Sequence, residues 1–204
     1  MGNKTLTTVG LIVLLLVVVL LCIGFGAVGS YQGAYNKLAV MQAGIPVARG
    51  NMTSGIRVLS TKIDAMDAIM NSTFSAEETV QIGYAEARSG YDRALEQYDQ
   101  SGDPLPVIKA AADLGLVFNV QVENPPTTGF AELGASTQRE VAEAFNQMLR
   151  LVLDYNGVVG EYNGYRKQLF MPQIAGNLGG YPASYDVYEV EGAGIPASYD
   201  EITE

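Results

Sequence analysis

Glu140 and Glu143 sit three residues apart in a stretch whose periodicity predicts a helix. They are the closest this sequence comes to paired carboxylates for acid–base work. On an exposed helix face, such a pair is more simply a solvated charge run. The chain has no histidine, and its one cysteine, Cys22, lies inside an apolar run. Most zinc sites, Ser–His and Cys–His nucleophiles, and the Glu-x-x-His pairs of di-iron bundles need side chains missing here. No Gly-x-x-x-x-Gly-Lys phosphate loop occurs. The inventory nominates no catalytic, cofactor-binding or metal-binding residue and argues against an enzyme.

Recognition chemistry is better represented. Tyr35-Asn36, Tyr155-Asn156 and Tyr162-Asn163 pair an amphipathic ring with an amide that both donates and accepts. They form a candidate interaction or packing layer. The functional reading makes them a docking surface. The packing reading puts the tyrosines in a helix seam, with the asparagines bonding locally.

The elements that position these residues read as helices. Met148, Leu151, Tyr155, Val158, Tyr162, Tyr165 and Leu169 recur at steps of three and four, the seam of a helix in a left-handed bundle that Pro172 stops. Upstream, Leu38, Ile45, Met52, Leu59 and Met66 are seven apart, with Ile56, Ile63 and Met70 between them, and Pro46 predicts a kink. Ser75 and Glu78 form a capping box. It opens a helix carrying Val80, Tyr84, Ala87, Tyr91, Ala94 and Tyr98. Asp103 caps a third helix, with Pro104 at its first position, running past Ile108, Ala111, Ala112, Gly115 and Phe118. The fourth starts near Phe130 and carries Leu133, Val141 and Ala144.

The expectation is an all-α fold, an N-terminal transmembrane helix continuing into an elongated antiparallel up-down four-helix bundle or coiled coil. Its helices cover about 31–71, 76–100, 104–122 and 129–171 of a body spanning 31–172. The longer first and fourth helices would form a two-helix stalk near the membrane, with Tyr35 and Tyr162 at similar height. Gly44 and Gly50 facing Gly157, Gly160 and Gly164 predict close backbone packing there.

Residues 1–5 are a short flank, and residues 6–30 are almost wholly apolar. Some twenty such residues rise roughly 30 Å as helix, the thickness of a hydrocarbon core. The run is longer than a signal peptide's apolar region, so an uncleaved single span in the lipid bilayer is expected. Gly26 with Ser30 and Gly29 with Gly33 form small-x-x-x-small pairs; with Gly160 and Gly164 they are candidate self-association positions in a homo-oligomer. Lys37 and Arg49 after the span lean the body toward the cytoplasm, by a slim margin over Lys4 before it. No carboxylate precedes Asp64, yet the net charge is −10. An acidic body excludes nucleic acid as a partner, because that role needs clustered Lys and Arg.

Residues 173–204 read as an irregular acidic tail, either flexible or docked as extended segments. Gly180-Tyr-Pro-Ala-Ser-Tyr-Asp186 recurs as Gly194-Ile-Pro-Ala-Ser-Tyr-Asp200. Tyr181, Pro182, Tyr185, Asp186, Pro196, Tyr199 and Asp200 are its candidate motif residues, either a bivalent ligand for an unidentified protein partner or low-complexity drift.

Tyr35-Asn36-Lys37-Leu38, Ala87-Arg88, Glu140, Tyr155-Asn156, Tyr162-Asn163, Phe170-x-Pro172, Ala175-Gly176 and Gly179 together resemble the LemA family of bacterial membrane proteins. The resemblance covers about residues 6–180. Asn124-Pro125 stands where the family has Tyr-Pro. The first helix reads GNMTSGIRVLSTKIDAMDAI where the family has paired arginines followed by Asp-Leu-Ile-Pro-Asn-Leu-Val. The resemblance implies a divergent single-span protein with a helical bundle and no catalytic residues, an envelope scaffold or adaptor acting through protein–protein contacts. A filament subunit, with its apolar helix packed among copies, is the alternative.

Overall fold

The computed structural model describes residues 2–74, 78–125 and 128–199. In chain order its elements are α1 Gly2–Thr73, α2 Glu78–Ser101, α3 Leu105–Glu123, α4 Thr128–Arg166, α5 Met171–Leu178 and a 3-10 turn at Glu191–Ala193. No strand occurs among the described residues, so the fold is all-helical. The chain divides into two compact units. One joins Met1–Gly44 to Gly160–Tyr185, the other Ile45–Val159 to Asp186–Glu204.

In the larger unit the heptad of α1 is buried as its spacing requires: Ile45, Met52, Ile56, Leu59, Ile63, Met66 and Met70. Two tyrosines of α2 bond α1 through their hydroxyls, while the buried Tyr84 hydroxyl has no hydrogen-bond partner among the described residues. Tyr98 and Thr53 are 2.7 Å apart, and Tyr91 and Ser60 are 2.8 Å apart. Arg88 adds an ion pair to Asp64 at 2.8 Å. α3 packs on α2 and buries Val107, Ile108, Ala111, Leu114 and Phe118. The Asp103 carboxylate accepts the Leu105 N–H at 3.0 Å just before α3, but the N-cap position falls on Pro104, one residue beyond the expected cap. The Ser75 of the expected capping box lies outside the described residues, as do Pro126 and Thr127 of the next turn. α1 meets α4 where Lys62 bonds Glu140 at 2.8 Å and where Gly55 lets Met148 and Leu151 come close. Glu140 is thus a surface ion-pair partner, and Glu143 is exposed.

The smaller unit holds the start of α1, the end of α4, α5 and the first tail residues. Every α1 residue from 13 to 30 is exposed, Leu, Val, Ile and Phe included. With this run, α1 is long and apolar enough to cross a membrane. α3 passes the same test of length and composition, but its apolar face is buried against protein. α1 runs on through Pro46, which sits on an exposed face.

Four expectations need correction. The buried line on α4 is Phe145, Met148, Val152, Tyr155, Val159, Tyr162 and Arg166. Leu151, Val158 and Tyr165 are only half-buried, and Leu169 is 75 % exposed. Both lines share Met148, Tyr155 and Tyr162, so spacing alone fits either. The chosen one is turned toward Asn156 and Asn163, whose side of the helix the tail covers. Leu133 is exposed, and Gly134 beside it is buried against Val122 and Phe130.

Second, α4 ends at Arg166, and Pro172 starts a helix instead of stopping one. A proline clashes with the carbonyl four residues upstream, so the break comes before it. Its missing N–H costs nothing in the first turn of α5. Third, the tail is not irregular throughout: α5 and the 3-10 turn lie within it, and Tyr181 to Tyr185 share a unit with α1 and α4, so this is no bare two-helix stalk. Finally, Gly50, Gly157, Gly160 and Gly164 have open space where a Cβ would stand, so they are not packed backbone to backbone.

Candidate interaction site

Three aromatic–asparagine dipeptides on α4 each hold one tyrosine of the tail. Tyr162 and Asn163 do so in the smaller unit. The Asn163 amide donates to the Tyr185 carbonyl at 2.8 Å, and its oxygen accepts the Tyr185 N–H at 2.9 Å. The rings of Tyr162 and Tyr185 meet edge to face with centroids 5.1 Å apart. The Tyr162 hydroxyl donates to the Pro182 carbonyl at 2.6 Å, and Gln42 donates to the Tyr185 hydroxyl at 3.2 Å.

The larger unit repeats the device. Asn156 donates to the Tyr188 carbonyl at 2.7 Å and accepts its N–H at 2.8 Å, while the Tyr155 and Tyr188 rings lie 5.1 Å apart. The Tyr188 hydroxyl reaches the Gly102 carbonyl at 3.0 Å. Asn146 accepts the Tyr199 N–H at 2.9 Å, and the Phe145 and Tyr199 rings are 5.8 Å apart.

The physics is that of an edge strand. An extended residue leaves its N–H and C=O free on one side, and a side-chain amide presents one acceptor and one donor at matching spacing. One asparagine therefore satisfies a whole residue of backbone. The neighbouring ring adds apolar contact, so the tail is bound by chain direction and by tyrosine together. Tyr155 and Tyr162 are fully buried, as the packing reading required, but Asn156 and Asn163 bond residues far along the chain and not their own turn.

Tyr185 and Tyr199 occupy the same position in the two copies of the tail repeat; Asn163 holds Tyr185 by both backbone groups, whereas Asn146 takes only the N–H of Tyr199, which lies in a turn. Asp186 and Pro182 line the first copy, Asp186 exposed and Pro182 half-buried; Pro196 is half-buried, and Asp200 lies outside the described residues. Tyr35 is partly exposed, and its ring meets Tyr181 edge to face at 5.3 Å, while Asn36 is exposed. Gly26, Gly29, Ser30 and Gly33 are all exposed on α1.

Sequence reading missed Phe145-Asn146 and Tyr188. The dipeptide pattern was the available signal, yet it is not sufficient. Phe118-Asn119 has it too, and Asn119 instead bonds Gln138 and Glu123. Arg166 was also missed. Its guanidinium donates to the Gln173 carbonyl at 3.4 Å and to Asn177 Oδ1 at 2.5 Å, and Gly176 leaves room for it, which ties α5 to the end of α4.

A cavity of about 280 Å³ in the larger unit is lined by Asp67, Asn71, Tyr84, Arg88 and Asp92. Arg88 is already committed to Asp64 and Asp92, at 2.8 Å each, so the cavity offers no free cation.

Tyr199 is a pH-sensitive anchor. Burial pushes its phenol up to about 12. Its hydroxyl has no hydrogen-bond partner among the described residues, which costs about 1–3 kcal/mol. Because the folded value lies above the ordinary one, docking is fully stabilised below pH ~10 and weakens as pH rises toward the folded value. The protection of residues 195–199, taken relative to the intrinsic base-catalysed exchange rate, is expected to fall across that window. Tyr199→Phe is expected to abolish this local dependence and to slow exchange at neutral pH, since it deletes the orphan hydroxyl and keeps the ring.

No family model, no curated protein and no solved structure matches this chain.

Proposed function

We propose that this chain is a membrane-anchored helical-bundle protein of the LemA type, a non-catalytic envelope scaffold or adaptor that acts through protein–protein contacts and self-association. The observation that carries the reading is the paired grip of Asn156 and Asn163 on peptide backbone, each donating to a carbonyl and accepting the N–H of the same tail residue. Such a grip is recognition chemistry, with sequence preference supplied by the adjoining rings.

Supporting the anchor, an apolar helix exposed at every residue from 13 to 30 needs a non-aqueous cover. Supporting an antiparallel up-down four-helix arrangement, rising positions on α1 meet falling positions on α2: Thr53 with Tyr98, Ser60 with Tyr91, Asp64 with Arg88. The same holds for Gly55 with Leu151 and Lys62 with Glu140 on α4. Supporting self-association, Gly26, Gly29, Gly33, Gly160 and Gly164 have open space beside them, where another helix can approach.

The full chain is expected to float with membranes after alkaline carbonate extraction and to give discrete oligomers on cross-linking in those membranes. Cross-linking that yields only monomer rejects self-association. Release by carbonate rejects the anchor, and sedimenting fibres after detergent extraction select the filament reading.

A further inference from the structure

We propose that α5, together with the Leu169–Phe170 turn before it, is a second membrane contact lying in the headgroup boundary beside the span. The proposal rests on the reading that residues 6–30 cross the bilayer.

One face of α5 is packed and the other is bare. Pro172, Ala175 and Gly176 are buried. Phe170, Ile174 and Leu178 follow one another at steps of four and so share the opposite face. Phe170 is 77 % exposed, Leu178 75 %, Leu169 75 % and Ile174 43 %. Phe170 also has a positive φ of 66°, a strained conformation for a side-chain-bearing residue that costs about 1–3 kcal/mol. The fold bears that cost while leaving an aromatic ring outermost. From Gln168 to Tyr185 the chain carries no charged side chain. Little therefore opposes moving this surface out of water.

The smaller unit that holds α5 also holds the apolar start of α1, which argues for lipid as the occupant. Tyr181, three residues beyond Leu178, puts its ring 5.3 Å from that of Tyr35. Tyr35 lies seven residues after Val28, about 10 Å of helix past the apolar run, which is headgroup depth. Tyr31, Tyr35 and Tyr181 supply the aromatic belt expected at that level. Exposed Lys37 and Lys167 flank it and suit anionic headgroups. Once the span inserts, the bare face of α5 reaches the boundary with no further partner. Its mode is that of an interfacial amphipathic segment.

The chain has no tryptophan, so a single introduced one reports its own surroundings. The full-length protein is reconstituted in phosphatidylcholine–phosphatidylglycerol vesicles, with and without brominated acyl chains. Phe170→Trp and Leu178→Trp are measured beside Val18→Trp in the span and Leu153→Trp on an exposed face of the other unit. The expected result is blue-shifted emission, quenched by brominated lipid, for positions 170 and 178 as for 18, and neither effect at 153. Emission at 170 and 178 that matches 153 while 18 is quenched overturns the second contact and leaves the anchor standing. A blue shift without quenching also overturns it, because protein then covers the face. An unquenched Val18→Trp would instead sink the anchor reading itself.

Discussion

Alanine at both Asn156 and Asn163 is expected to free the tail around Tyr185 and Tyr188 from α4. Each asparagine makes two hydrogen bonds to one tail residue. At a net worth of about 1 kcal/mol each, four bonds amount to about 4 kcal/mol, roughly a thousandfold shift toward the undocked tail. The tail residues are only half-buried, so their freed N–H and C=O groups turn to water, and the segment leaves instead of staying unsatisfied. Hydrogen exchange over residues 181–190 should rise accordingly, with α1 and α4 still protected by their apolar seams. Asn→Asp at the same positions should release the tail as well, because a carboxylate keeps the acceptor, loses the donor and faces a carbonyl. Asn36→Ala, at an exposed position, is expected to change stability by less than about 0.5 kcal/mol. Unchanged exchange at 181–190 in the double variant would show that the rings alone hold the tail.

Gly115→Ala should reverse its sign with the background. A Cβ on Gly115 would stand 2.6 Å from the Tyr199 hydroxyl and 2.8 Å from its ring edge. The ring is rigid and enclosed, so the tyrosine must leave or α3 must shift. Losing a buried tyrosine that also packs on Phe145 is expected to cost about 2–4 kcal/mol of stability. In a Tyr199→Ala background the obstacle is gone, and the same substitution is expected to stabilise by up to about 1 kcal/mol, because alanine is the better helix former. Thermal unfolding of the four proteins of that cycle checks both signs. Equal destabilisation in both backgrounds would mean that Gly115 is required by something other than Tyr199.

These results divide what the chain announces from what it conceals. The α1 heptad was readable residue by residue, since Leu38, Ile45, Met52, Leu59 and Met66 leave a water-exposed helix no other way to hide them. The α2 stripe of Tyr84, Tyr91, Ala94 and Tyr98 was equally plain. The α4 seam was read one residue off in every second position, because a three-four alternation hung on Met148, Tyr155 and Tyr162 is satisfied by either neighbour. The folded chain buries Val152 and Val159.

The partners of the asparagines were hidden for a related reason. Local spacing describes which residues share a helix face. It carries nothing about an extended segment that returns 22 or 32 residues later to be held there.

By itself, then, the sequence determined the helices, the apolar run, the absence of imidazole and the duplicated tail motif. Each of these is a statement about neighbours along the chain. Tertiary structure alone decided that the tail is bound, that Tyr185, Tyr188 and Tyr199 are its anchors, and that the proline expected to end a helix sits in the first turn of α5. Those outcomes depend on which distant groups satisfy one another's hydrogen bonds and exclude one another's water, and sequence spacing does not encode that choice.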